Sequence, residues 1–367
     1  MRRRSFILHI LLAAGCCGSM AQTSRLTVTN PTAMQRQELV SIDAGQLGFD
    51  AGKGVVVRDA FGIEQTSQLT HDGQLLLDVH VRPNATATYT IEPGQPAPVL
   101  SLVGGRQYPD RLDDLSFEND RIGFRLYGPA LQRRGERGFG HDVWVKRTPE
   151  LILEELYRNN PRLSFHLDYG KGLDCYGVGP TLGCGTPALV KDGKIVYPWC
   201  YETCRILENG PLRFTVQADF PTTAEGITEH RILSLDKGSN FCKATVWYDG
   251  LKQPADVAAG FPIRAADTLS VVEGKDYIHY ADPTTDPERH QCQIYVALLF
   301  PDTEGVEITR MEGHGMGILH SYRGGRFHYW FGAAWSEFDI HTQNEWQSRI
   351  EGFMQTIRQP LKTVITK

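Results

Sequence analysis

Apolar residues return at every second position through most of this chain, in short runs broken by glycine, proline and Asn/Asp turns, which is the period of half-buried β-strands. The first such runs are Leu26 to Thr29, Glu38 to Ile42, Val55 to Val57, Leu75 to Val81 and Thr86 to Ile91. Asn30-Pro31, Asp72-Gly73 and Pro83-Asn84 separate them. This spacing predicts a small antiparallel sandwich over residues 22–98, closed by the proline-rich linker Glu92 to Pro98. Strand signals then continue at Arg121 to Tyr127, Asp142 to Lys146, Ser164 to Asp168, Leu212 to Ala218, Glu229 to Leu235, Phe241 to Tyr248, Tyr277 to Tyr280, Ile294 to Leu299, Gly315 to Tyr322 and Arg326 to Phe331. The pattern predicts an all-β fold with a second, larger antiparallel sandwich over residues 99–367. One helix is expected. Thr342 caps it, Glu345 follows three residues on, Trp346, Ile350, Phe353, Met354 and Ile357 recur at helical spacing, and Pro360 stops it.

In the larger part the polar positions are unusual. Arg121, Arg125 and Tyr127 share one face of their strand, with Ile122, Phe124 and Leu126 on the other. Asp142, Trp144 and Lys146 share a face of the next run, and Ser164, His166 and Asp168 a face of the one after. Three polar faces in succession imply one lined groove. The glycine-rich segment Gly170 to Gly183 adds Asp174 and Tyr176. It lacks the GxxxxGK[ST] spacing of a phosphate loop. Trp199, Tyr201, Trp144 and Trp335 are candidate stacking platforms for sugar rings, or core residues.

Composition narrows the chemistry. The 367 residues carry a net charge of -5 with no long basic block, which gives a nucleic-acid partner no electrostatic support. There is no GxSxG or HExxH motif, so serine-hydrolase and zinc-protease chemistry lack their signatures. No metal or other cofactor is expected, although the acidic run Asp282 to Asp286 is a candidate calcium loop without EF-hand spacing. The start of the chain, with Arg2, Arg3 and Arg4, an apolar run from Phe6 to Ala14 and Ser19-Met20-Ala21, reads as a signal peptide over residues 1–21. It implies a periplasmic or secreted protein without a transmembrane segment. Leu12 to Cys16 offers lipid anchoring at Cys16 as the lesser alternative. The later cysteines are expected to be disulfides or buried thiols, with Cys175–Cys184 and Cys200–Cys204 the local pairings in the first case.

Several stretches together resemble the DUF4861 family of exported proteins from glycan-degrading Bacteroidota. They are LTVTNPTAMQRQEL from Leu26, YPDRLDDLSFENDRIGFRLYGPAL from Tyr108, DVWVK from Asp142, GLDCYGVGPTL from Gly172, YPWCY from Tyr197, FGAAW from Phe331 and RQPL from Arg358. The resemblance implies a supersandwich like that of galactose mutarotases, behind a small β domain, and work on carbohydrates, with oligosaccharide dehydratases among its relatives. The expected substrate is an acidic, uronate-containing oligosaccharide, and the expected reaction is β-elimination by a dehydratase or exolyase. Loss of a group across C4 and C5 needs the carboxylate neutralised, a base for the C5 proton and an acid for the leaving oxygen. Arg125, with Arg121, is the expected carboxylate clamp. His166 is the expected base and Tyr176 the acid, with His141 a substitute for either. Asp142, Trp144, Lys146, Asp174, Trp199 and Tyr201 are the expected substrate contacts. Two alternatives stand beside this: a glycoside hydrolase using a pair among Asp113, Asp114, Glu118, Asp142 and Asp174, or a noncatalytic sugar-binding or mutarotase-like module.

Overall fold

A computed structural model describes residues 23–264, 270–290 and 292–367. The signal-peptide reading and Cys16 lie outside the described residues. The chain is all-β with short helices, and every extended strand pairing is antiparallel. Two sheets form the small N-terminal unit. One has the strands Ser24–Thr29, Thr86–Pro93, Val55–Asp59 and Glu64–Gln65, and the other has Arg36–Asp43, Gln74–Val81 and Ser67–Leu69. Leu26, Val28, Ile42, Val57, Leu75, Leu77 and Ile91 fill the space between them. The closing strand Lys362–Thr366 returns to pair with Ser24–Thr29, so the last residues complete the small unit's sheet and not the large domain.

The large domain is a supersandwich. One layer is an eight-stranded sheet in the order Thr203–Asn209, Arg213–Asp219, Thr228–Asp236, Phe241–Asp249, Phe327–Trp335, Ile294–Leu299, Tyr277–Asp282 and Val272–Glu273. Two five-stranded sheets make the opposite layer. The first of these runs Val103–Tyr108, Asp114–Asn119, Gly123–Leu126, Asp142–Lys146 and Gly172–Asp174. Leu115, Phe117, Phe124, Val143, Val145 and Leu173 point from it into the core, against Phe214, Val216, Leu233, Val246, Leu298 and Phe331 of the eight-stranded sheet. Because side chains alternate, Asp114, Ser116, Glu118, Arg125, Tyr127, Asp142, Trp144, Lys146 and Asp174 all emerge on the outer face. That face carries the polar positions read from Arg125 and Tyr127 and from Asp142 to Lys146.

The outer face is covered. The helix α1 (Pro129–Arg133) follows Gly128, and α2 (Leu153–Asn159) lies across the sheet, with Leu153, Leu156, Tyr157 and the following Phe165 packed on Trp144. No side chain of its own caps α2. Glu118 does so from the neighbouring strand, its Oε1 accepting from the amides of Ile152 and Leu153 at 2.7 Å each. The expected strand Ser164 to Asp168 is a series of turns after α2. Pro161 ends the helix, and Asp168 Oδ1 accepts from the amides of Gly170 and Gly172. Gly172, at φ 134°, brings its backbone against Val145 where a side chain would collide.

The expected helix is α3 (Gln343–Arg358), with Thr342 accepting from the Glu345 amide and Trp346, Ile350 and Met354 buried on the eight-stranded sheet. The six cysteines from Cys175 onward are free thiols, which corrects the local disulfide pairings. Cys200 is placed with its Sγ 3.2 Å from the carbonyl of Gly138, and Cys184 lies in the core facing Gly332.

Candidate functional site

On the outer face of the first five-stranded sheet, strand register places three aspartates around one arginine. Arg125 pairs directly with Asp142 on the adjacent strand, and Trp144 with Asp174 one strand further. Arg125 Nη2 donates to Asp174 at 2.7 Å and to a closer Asp142 carboxylate, while Nη1 reaches Asp114 at 3.5 Å. Tyr127 donates its hydroxyl to Asp142 at 3.0 Å, and Tyr157 donates to Asp114 at 3.1 Å. The guanidinium also lies over the rings of Tyr127 and Trp144, at 4.8 and 5.0 Å. Arg125 Nε, Asp114 Oδ1 and Trp144 Nε1 are buried without a partner in this cluster.

Three carboxylates around a single guanidinium cannot all ionise cheaply in a buried place. Burial, and then the charge of Asp142, push the Asp174 carboxyl up to about 8, so it holds its proton at neutral pH. Burial raises Asp114 as well, against the pull of Arg125 and then Arg111. Tyr127 is pushed well above the usual phenol range, first by burial, and stays a proton donor.

The cluster opens toward solvent at the turn after α2. His166 is exposed there, with Nδ1 3.0 Å from the carbonyl of Asp174 and 3.6 Å from its carboxylate. Nδ1 donating to that carbonyl leaves Nε2 as the basic nitrogen. Arg111 also lies near the Phe165 ring, its guanidinium 5.6 Å from the ring centre, in no ion pair among the described residues though its charge acts on Asp114.

Arg125, Asp142, Asp174 and His166 therefore meet, whereas the other expected site residues lie elsewhere. Arg125 is committed to three aspartates and 4% exposed, so the external-carboxylate clamp assigned to it is corrected to an internal counter-ion. Tyr176 faces the core, its hydroxyl without a partner and under Arg264, which removes it as an acid for substrate. His141 sits one position before Asp142 and so points the opposite way, buried between Arg231 at 3.0 Å and the Cys184 carbonyl. Burial, then Arg231, hold it well below the usual imidazole range. Lys146 is fully buried on Glu118 at 2.6 Å, and Trp144 is fully buried under α2, so neither touches a ligand. Tyr201 is buried, accepting from Gln107 and donating to the Asp113 carbonyl. Arg121 is held away from the cluster by Asp339 at 2.7 Å. Trp199 is half exposed beside α1, where the next residue, Cys200, donates its amide to Gln132. Sequence reasoning passed over Arg111 and Tyr127 as site residues. The signal for Arg111 is its place in the stretch Tyr108 to Asp114, which is crowded with aspartates.

Asp282 is spent on Arg264 at 3.0 Å and on the Thr284 amide, which gives the proposed calcium loop no free carboxylate there. Among the described residues, His71, Asp72 and Glu208 bring possible metal-ligand atoms together, but His71 Nδ1 is hydrogen-bonded to Glu208, and Gln68 occupies the other Glu208 oxygen. A cavity of about 1490 Å³ lies elsewhere, between the outer face of the eight-stranded sheet, α3 and the strand Arg36–Asp43.

The family described as a domain of unknown function, DUF4861, matches residues 28–363. A relative from Formosa agariphila, called "Uncharacterized protein P7", is 23% identical, with 98% of each chain covered. Among solved structures the chain is similar to an α-mannosidase from Enterococcus faecalis, with a TM-score of 0.53 and 10% identity, over 94% of this chain and 46% of that one. A protein in glycosyl hydrolase family 38 from the same organism matches with the same TM-score and identity, over 48% of its length. The chain thus spans about half the length of these two solved structures, and the likeness is one of fold.

Proposed function

The chain belongs to the DUF4861 family, and we propose that it is a carbohydrate-active enzyme that acts on uronate-containing oligosaccharides by β-elimination at the mouth of the Arg125 cluster. The observation that supports this reading is that Arg111, in no ion pair among the described residues, and His166, whose Nε2 is free, both lie against the Phe165 ring. Arg111 binds the uronate carboxylate and stabilises the charge that develops when the C5 proton leaves. His166 Nε2 takes that proton, and its Nδ1 proton stays on the Asp174 carbonyl. Tyr127, held by Asp142 and Arg125, protonates the departing C4 oxygen. The buried carboxylates position these groups and make no contact with substrate.

Geometry also weighs against one pair of the hydrolytic alternative, Asp142 with Asp174. Carboxylates that flank a glycosidic bond stand about 5–9.5 Å apart, whereas Asp142 and Asp174 share one Arg125 nitrogen, so no sugar fits between them. The test compares a uronate-terminated oligosaccharide with its carboxyl-reduced counterpart. The enzyme should turn over the first alone, and Arg111→Ala should lose most of that turnover. Equal turnover of both substrates overturns the proposal.

A further inference from the structure

On the outer face of the eight-stranded sheet, register lines up a second polar surface, remote in sequence from the Arg125 cluster. Lys243 pairs with Trp330 and Thr245 with His328, and all four line the 1490 Å³ cavity. That volume exceeds the roughly 300–1,000 Å³ of small-ligand pockets and suits an extended chain better than a single sugar. Walls are provided by the strand Arg36–Asp43 of the small unit and by α3.

Most cations of this groove are neutralised in place. Arg213 is held by Asp236 at 2.5 Å, Lys237 by Asp78 at 2.5 Å and Arg121 by Asp339 at 2.7 Å. Lys243 and Arg326 are different. Among the described residues neither has a carboxylate within ion-pair distance. Each is held over an indole ring instead, Lys243 Nζ 5.2 Å from the centre of Trp330 and the Arg326 guanidinium 4.6 Å from that of Trp247. A ring face fixes a cation's position without cancelling its charge. Burial lowers the Lys243 ammonium from its usual range, with Asp302 pulling the other way. Between the two, His328 gives Nδ1 to Thr245 at 2.9 Å.

We infer that this groove is a second, noncatalytic binding site for an anionic oligosaccharide, whose carboxylate or sulfate groups are received by Lys243 and Arg326. Although carboxylates outnumber cations in the groove's lining, Lys243 and Arg326 offer an incoming anion two oriented charges with no ion-pair partner among the described residues. The inference does not rest on elimination chemistry at the Arg125 cluster.

The test titrates the full chain with an oligogalacturonate, with a sulfated oligosaccharide and with the carboxyl-reduced neutral form of the first, and follows heat or tryptophan fluorescence. Three proteins are compared: the parent, Lys243→Met with Arg326→Met, and Arg111→Ala. Affinity for at least one anionic probe should drop at least about tenfold in the double variant and should fall with added salt. The neutral probe should bind the parent no better than the double variant does. Parent-like affinity of the double variant for both anionic probes overturns the inference, as does absence of binding by the parent. Loss confined to Arg111→Ala overturns it too, while leaving the elimination proposal standing. Arg326→Glu, on an exposed side chain, serves if the double variant does not fold, and should show the same loss.

Discussion

Asp174→Asn isolates the electrostatic tension of the Arg125 cluster. The amide keeps an oxygen for Arg125 Nη2 and changes almost no volume, so only the ionisation is removed. In the folded protein the Asp174 carboxyl sits at about 8, against 3.8 for the free group, because burial and then Asp142 oppose its charge. A carboxyl raised on folding stabilises fully below its unfolded value, and that contribution is lost as pH climbs toward the folded one. The slope can approach 1.36 kcal/mol per pH unit. Between pH 5.0 and 7.5 the parent should therefore lose about 3 kcal/mol of stability that Asp174→Asn does not lose. Urea unfolding followed by tryptophan fluorescence at the two pH values measures the difference directly. Parallel pH dependence in parent and variant would refute the claim that Asp174 is buried, crowded by Asp142 and neutral at pH 7.

His279 should act with the opposite sign. It is fully buried beneath α3, and burial holds its imidazole down at about 4, so its contribution is lost as pH falls from the unfolded value near 6.5; His279→Leu should remove about 2 kcal/mol of the parent's loss between pH 7.5 and 5.0 in the same unfolding assay. Lys146→Met leaves Glu118 buried and unpaired beneath the start of α2, which should cost about 3–5 kcal/mol by denaturant unfolding. Thr342→Ala removes the side chain that caps α3 and should lower stability by about 1 kcal/mol. His166→Ala and Tyr127→Phe should each reduce kcat on a uronate substrate by about 10²–10⁴-fold, and parent-like turnover in either would remove that residue's role.

The alternation of polar and apolar residues was enough to put Arg125, Asp142, Trp144 and Lys146 on one sheet face, because a two-residue period is a local property. The same period could have excluded His141, offered above as a substitute acid or base, since it neighbours Asp142 in sequence and so faces the core. What covers the face was not legible. The segment Leu153–Asn159 forms a helix whose cap is Glu118, supplied by a strand 34 residues earlier in the chain. No local pattern announces such a partner. Nor could sequence show that Arg125 is surrounded by carboxylates from three other strands, since that depends on strand order. The register that lines Lys243 up with Trp330, on strands far apart in the chain, was hidden for the same reason.

The central claim is elimination at a uronate, and product identity tests it most directly. Incubated with a uronate-terminated oligosaccharide, the protein should generate ultraviolet absorbance from a 4,5-unsaturated uronide, with a mass change matching loss of water or release of a shortened chain bearing that double bond. A saturated, shortened product without new absorbance would contradict it, as would no reaction across a panel of uronate-containing oligosaccharides.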